Sequence, residues 1–358
     1  MKILQIIPNF GSGGAEHFVL ELSNELCRQG HQVEVLSLYD VPEDNPLKQS
    51  FDSQIIISTL HKKDGFELRM FSAVRRFINR GNYDVVHCHV GAIKYVTLAA
   101  FVCRKKKFVA TIHSEASREA GKYIDKWSRK LMFRNNVCLP VTISEESERS
   151  FEEFYGKKTV TIFNGVSKYV KNRDVSLRDN DKQVVFLHVA SCQVVKNQQL
   201  LLMAFNKLLD SGYDAKIVWV GSNKSFYTLY QSLERFMKRN VSFLGVVNNA
   251  RDYMVDADAL CLSSKMEGMP MTVIEAFSVG LPVLCTPVGG CVNMVKQGQN
   301  GFLSKDLTVE SYYNLLESFV LLTREERAKL RKGAMASFLN YSIEVCAKEY
   351  IKLYETDQ

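Results

Sequence analysis

Residues 263–303 read SSKMEGMPMTVIEAFSVGLPVLCTPVGGCVNMVKQGQNGFL. Two glutamates, Glu267 and Glu275, flank a Gly268-Met269-Pro270 turn, and an apolar run then extends to Gly280 and Pro282. The pattern predicts the end of a strand, a tight loop, a short helix and a second strand over 282–285. Proline suits the first turn of a helix, where a missing N–H leaves nothing unpaired. Gly280 suits the stop just past the helix end. Glu267 then falls on the loop and Glu275 inside the helix. The helix start, around Met271, Thr272 and Val273, offers unpaired N–H groups and the positive end of the dipole. Both suit a diphosphate. Taken alone, two glutamates at this spacing are ordinarily a pair of solvated helix carboxylates.

The rest of the chain has the same rhythm. Residues 3–7 form a short apolar run that fits a central parallel strand. A glycine-rich turn follows, with Gly11, Gly13 and Gly14, then a helical stripe over 17–29 and a strand over 31–38. Glu16 stands where the dinucleotide fingerprint needs a small residue, so that motif is excluded. Further strands are predicted at 54–57, 84–87, 108–112 and 138–143, with helices over 68–80, 92–102, 123–134 and 145–154. Ser144 is a good N-cap for the last of these. Residues 168–182 are polar and aperiodic and read as a linker. Beyond them strands are predicted at 184–189, 216–220, 241–244 and 259–263. Helices are predicted over 198–209, 226–238, 250–255, 309–321, 325–338 and 343–354. Alternating strands and helices define a doubly wound α/β architecture, in which ligands collect at the carboxyl ends of the strands. His89 and His113 both lie just past such ends.

With 358 residues, 46% hydrophobic and 24% charged, the chain has room for two globular domains. The expected domains are 1–170, joined by the terminal helix 343–358, and 180–342. No apolar run is long enough for a membrane span. The apolar start is short and ends at Pro8, which favours a buried strand over a signal peptide, so a cytoplasmic location is expected. Nine scattered cysteines, none in a C-x2-C pair, read as reduced core thiols. His87-Cys88-His89 looks metal-binding, but neighbours on a strand point to opposite faces. No metal is expected there, nor at Asp256-Ala257-Asp258. The net charge of +7 concentrates between Lys62 and Arg134, including Arg104, Lys105, Lys106, Lys107, Lys126 and Lys130. Such a face suits an anionic membrane or a lipid-diphosphate acceptor. It equally fits a merely solvated surface. The helix over 123–134, basic and carrying Trp127, fits a membrane contact or a simple cover for the domain. Nothing in the motifs supports nucleic-acid binding.

Glu267 and Glu275 resemble the E-x7-E signature of retaining GT-B glycosyltransferases of family 4. The resemblance continues through Gly280-Leu281-Pro282-Val283, the Pro287–Gly290 turn and Gln299-Asn300-Gly301-Phe302-Leu303. Gly13 to Glu16 resembles the family's GGAE opening, Thr111-Ile112-His113 its T-x-H segment, and Phe163-Asn164-Gly165-Val166 its P-N-G-V turn with Phe163 replacing proline. Residues 189–197 resemble V-G-R-L-x-x-x-K-[GN]. Lys196 is present, but Ser191 replaces the arginine and Ala190 the glycine. The resemblance implies a GT-B fold, two Rossmann-like domains facing a cleft. It implies a metal-independent hexosyltransferase using a UDP- or GDP-linked hexose or N-acetylhexosamine, with no separate cofactor. The acceptor would be a glycan or lipid-linked sugar of envelope polysaccharide synthesis. Catalysis would fall to His113, Glu267 and Lys196. The donor would lie against Gly14, Lys196, Val246, Glu267, Gly268, Met269, Met271, Thr272, Val273 and Glu275, with Glu275 on the ribose. Losing the arginine removes one bidentate grip on the diphosphate. It opens an alternative, a catalytically weak sugar-nucleotide-binding or scaffold protein of the same fold.

Overall fold

The computed structural model describes residues 1–11, 13–121, 123–170, 177, 182–222, 239–247 and 249–356. The helix expected over 226–238, and most of the linker, lie outside the described residues. The chain divides into two units, Met1–Ser167 with Ile343–Gln358, and Lys168–Ser342.

The first unit is built on seven parallel strands: β1 (Lys2–Ile7), β2 (Gln32–Ser37), β3 (Ile56–Thr59), β4 (Val85–His89), β5 (Lys107–Ile112), β6 (Leu139–Thr142) and β7 (Val160–Thr161). Their order is β3-β2-β1-β4-β5-β6-β7. Strands β4 and β5 are buried along their whole length, as a parallel sheet covered on both faces requires. The helix Gly14–Arg28 buries Phe18, Leu22 and Leu26 at a spacing of four, one apolar stripe. The terminal helix Ile343–Glu355 belongs to this unit. It buries Tyr350 and Tyr354, whose hydroxyls bond Thr111 and His87 of the sheet at 2.8 Å each.

The second unit carries six parallel strands: β8 (Val184–Val189), β9 (Ala215–Val220), β10 (Val241–Gly245), β11 (Ala259–Leu262), β12 (Val283–Cys285) and β13 (Gly301–Leu303). The order is β10-β9-β8-β11-β12-β13. In each sheet the strand order reverses once, between β1 and β4 and between β8 and β11. The carboxyl ends of the strands at such a reversal are the usual ligand position in a doubly wound sheet.

Several elements differ from the sequence-based expectation: β7 and β13 are additional strands, β4 runs on to include His89, and two further differences have a local cause. β3 begins two residues later than expected, at Ile56. The Asp52 carboxylate accepts the Gln54 amide at 2.9 Å, so Gln54 and Ile55 are spent in a turn. Pro270 is the N-cap of the helix Met271–Ser278 and not its first residue. Its carbonyl accepts the Val273 amide at 3.0 Å. That helix is buried nearly all round. Its half-buried face carries Thr272 and Glu275, three residues apart.

The helix Arg324–Phe338 packs on the turn before β13 through Gly333. A Cβ there would stand 1.9 Å from the Gln299 carbonyl oxygen. Helix propensity alone favours alanine over glycine by about 1 kcal/mol, but overpacking costs about 1–3 kcal/mol. Gly333→Ala is therefore expected to destabilise the protein in urea unfolding. A stabilised variant would show that this contact is not tight.

Candidate active site

In the second unit, two loops leave the sheet on either side of the strand-order reversal. The loop after β8 passes Gly221, whose φ of +150 and missing side chain let the Ala190 carbonyl approach; a Cβ would sit 1.9 Å from it. The loop then makes a short 3-10 turn, Val194–Lys196, and Asn197 takes a left-handed conformation, φ +50, before the helix Gln198–Asp210. The loop after β11 is bonded to it at three points. Ser263 Oγ donates to the Lys196 and Asn197 carbonyls at 3.1 and 3.0 Å, and the Lys265 amide donates to the Val195 carbonyl at 2.8 Å.

These bonds bring together two of the sequence candidates. Lys196 Nζ donates to both oxygens of Glu267, at 2.7 and 3.0 Å. Ser264 Oγ donates to Glu267 Oε1 at 2.5 Å. The Glu267 side chain is 8% exposed and that of Lys196 25%. A carboxylate so enclosed needs a charged partner, and it has one. The next residues are fixed as firmly. The Gly290 amide donates to the Gly268 carbonyl at 2.7 Å, and a Cβ on Gly290 would lie 2.3 Å from that oxygen.

The other donor-site candidates fall into three groups. Met269, Met271 and Val273 bury their side chains, and the Val273 N–H is used by Pro270. Ligand contact at Met271 would therefore come from its main chain. Among the described residues the Met271 and Thr272 amides have no acceptor, and the Glu275 carboxylate has no partner. Val246 is 72% exposed, just past Gly245, whose carbonyl accepts the Gly221 amide at 2.8 Å. Ser191, in the arginine position, is half-buried, and its carbonyl accepts Gln198 Nε2 at 3.0 Å. Asp258 accepts the Val185 amide at 2.8 Å and Asp256 the Leu177 amide at 2.6 Å, so both carboxylates secure the strand region. Buried beneath the loop, His188 bonds the Cys261 carbonyl through Nδ1 at 2.8 Å.

In the first unit, Gly14 is the exposed first residue of its helix. His87 and His89 share one face of β4, with Cys88 on the other bonding the Val109 carbonyl. His89 Nδ1 lies 3.0 Å from His113 Nε2, and His89 Nε2 lies 2.8 Å from Gln5 Oε1. As Gln5 is oriented, the proton of His89 sits on Nε2, and His113 donates from its own Nε2. His113 keeps Nδ1 as an acceptor. Burial pulls His87 and His89 well below the ordinary histidine range. It pulls His113 down to about 4, against a smaller opposing pull from Glu119. All three rings are neutral at pH 7. Sequence reasoning overlooked the ion pair of Arg129 with Glu119 behind His113. Its one signal was an arginine on the stripe, 128, 129, 132 and 133, that the helix Tyr123–Arg134 buries.

The profile described as Glycosyltransferase Family 4 matches residues 12–168, and that described as Glycosyl transferases group 1 matches residues 170–336. Between them they span nearly the whole chain, and the protein belongs to the group 1 GT-B glycosyltransferases. It is 24% identical to the GalNAc-alpha-(1->4)-GalNAc-alpha-(1->3)-diNAcBac-PP-undecaprenol alpha-1,4-N-acetyl-D-galactosaminyltransferase of Campylobacter jejuni, over 99% of this chain and 98% of that one. It is 21% identical to the N-acetyl-alpha-D-glucosaminyl L-malate synthase of Bacillus anthracis, over 96% and 93%. Among solved structures, Anabaena HepE in complex with UDP superposes with a TM-score of 0.80 at 20% identity, covering 99% of both chains.

The buried histidines carry a stability prediction. Burial also draws His188 down to about 4, whereas an unfolded histidine titrates near about 6.5. The folded values are the lower ones, so unfolding takes up protons between them. Stability is full above that window and falls as the pH drops from about 6.5 towards 4. Urea unfolding at pH 7, 6 and 5 is expected to give steadily lower free energies. A flat profile would contradict the burial of neutral rings.

Proposed function

We propose that this glycosyltransferase moves a hexose or N-acetylhexosamine from a UDP- or GDP-sugar to a glycan or lipid-linked acceptor, with retention at the anomeric carbon. The observation that carries the reading is Lys196 paired with Glu267 beside the strand-order reversal, on a loop leading straight into the helix of Glu275. In this reading the donor diphosphate rests on Lys196 and the Met271 and Thr272 amides. Glu275 accepts from the ribose hydroxyls. Glu267 binds the transferred sugar, and His113 is assigned a sugar contact by the resemblance of Thr111-Ile112-His113 to the family's T-x-H segment. The C1–O bond to phosphate breaks, and the nucleoside diphosphate leaves with the electron pair. An acceptor hydroxyl bonds to C1 on the same face, and its proton passes to the departing phosphate oxygen. Lys196 stabilises the charge that grows on the leaving group. No metal ion is assigned a part in this scheme. Relatives that act on undecaprenol-linked sugars, such as the Campylobacter enzyme, support a lipid-linked acceptor.

Ser191 favours a second reading, binding without turnover, because the diphosphate then meets one lysine instead of an arginine and a lysine. A panel of UDP- and GDP-sugars with acceptor extracts separates the two. Release of nucleoside diphosphate is expected; binding with no release would favour the scaffold. Three variants test the assignment. Lys196→Ala should lower turnover about 100-fold. Glu275→Ala should weaken nucleoside diphosphate binding by roughly tenfold in calorimetry, as a charge-assisted bond is lost. Glu267→Gln should bind the free diphosphate more tightly yet turn over more slowly, because it no longer competes for Lys196 but loses a sugar contact. Unchanged values in all three would sink the assignment.

The helix Tyr123–Arg134 exposes Tyr123, Ile124 and Trp127 beside Lys126 and Arg134. No described helix is long and apolar enough to cross a membrane. An apolar and cationic face of this kind suits the surface of an anionic bilayer. Sedimentation with vesicles containing phosphatidylglycerol should carry the protein down, and Trp127→Ala should reduce the bound fraction. Equal binding to neutral vesicles would argue against the charge component.

A further inference from the structure

The proposed chemistry leaves unused the ion pair behind His113. Arg129 is 1% exposed and the Glu119 side chain 7%. Arg129 Nη1 donates to Glu119 Oε1 at 2.9 Å. The other carboxylate oxygen, Oε2, accepts the main-chain amides of His113 and Ser114 at 2.6 and 3.1 Å. Arg129 Nη2 donates to the Val90 carbonyl at 2.8 Å. One guanidinium–carboxylate pair therefore grips the chain where it leaves β5 and where it leaves β4, one residue past His89.

The Val90 end is strained. Its φ is +43, a conformation that a β-branched residue rarely adopts. Such a backbone persists only where its surroundings hold it, and Arg129 supplies part of that hold. The two histidines meet between these anchors, 3.0 Å apart. The Phe18 ring lies edge-on to His113 with centroids 5.5 Å apart. A shift of either strand end would lengthen the His89–His113 bond and turn the His113 ring.

Net stability is a weak reason for this pair. A buried ion pair often adds nothing over a well-packed apolar filling. What it does supply is direction. The planar fork of an arginine reaches two acceptors at fixed angles, which a lysine cannot do. The carboxylate accepts two successive amides on one oxygen while the other stays on the guanidinium.

We propose that Arg129 and Glu119 are positioning residues, which set the His113 imidazole at the place and angle from which it meets the transferred sugar. The inference rests on the reading of His113 as a sugar-contacting residue. Arg129→Lys keeps the charge but loses the fork. Glu119→Gln keeps the shape but has only one accepting oxygen. Each is assayed for kcat and donor KM, for the ring signals of His113 in 15N-labelled protein, and for Tm.

The expected result is a fall in kcat of about 10- to 100-fold, the scale of a small misplacement at a reacting centre. Donor KM should change less than threefold, because the proposed diphosphate and ribose contacts belong to the second unit. The His113 ring signals should move. If one variant does not fold, the other decides. The proposal fails if kcat stays within threefold and the ring signals are unmoved. It also fails if kcat, KM and Tm all worsen while the ring signals stay put, since that is general loosening. The ring signals need no turnover. Should His113→Ala keep full activity, the catalytic reading of His113 falls, and the signals in Arg129→Lys still decide the positioning.

Discussion

The Lys196–Glu267 pair is the contact on which the second unit's site depends. It joins a loop that follows β8 to one that follows β11, 71 positions apart in sequence. Neither charge could be kept so enclosed alone, since an unpaired buried carboxylate costs several kcal/mol. The pair therefore fixes the two loops as one platform, and Ser263, Ser264 and Lys265 lock it with hydrogen bonds. The same pair sets the electrostatics that a diphosphate would meet. Lys196 offers a positive charge already partly answered by Glu267. In the proposed reaction it gains most when negative charge builds on the leaving group, which is when stabilisation lowers a barrier.

The first unit uses a different device at the equivalent place. At the carboxyl ends of β4 and β5 two neutral rings, His89 and His113, are linked to Gln5 of β1. A second chain runs from Tyr354 through His87 and Thr111 to Tyr350. Burial keeps the rings uncharged, so they act as directional hydrogen-bond partners and not as cations. The charges behind His113, Arg129 and Glu119, pair with each other and bond to backbone. In the proposed reaction, charge chemistry lies with the second unit and orientation with the first.

The doubly wound α/β class was legible because buried parallel strands must be short apolar runs, as in β1 and β8, separated by helices with a single apolar stripe. The loop position of Glu267 and the helical position of Glu275 were legible from Pro270 and Gly280, which constrain the backbone locally. The pairing of Glu267 with Lys196 was not, because it depends on which strands lie side by side. Nor was the start of β3, where the Asp52 side chain competes with the sheet for backbone amides. In the sequence Arg129 is one more charge on the basic helix over 123–134. Its burial on the stripe of Met132 and Phe133 is visible only once that helix has a neighbour. Side chains that work through their own backbone leave a local signature; those that work across strands do not.

The most direct measurement is a crystal structure of the protein with UDP or GDP bound. The account predicts phosphate oxygens within hydrogen-bond distance of Lys196 Nζ and ribose hydroxyls on Glu275. A nucleotide bound elsewhere, with Lys196 still bonded to Glu267 alone and Glu275 open to water, would contradict it.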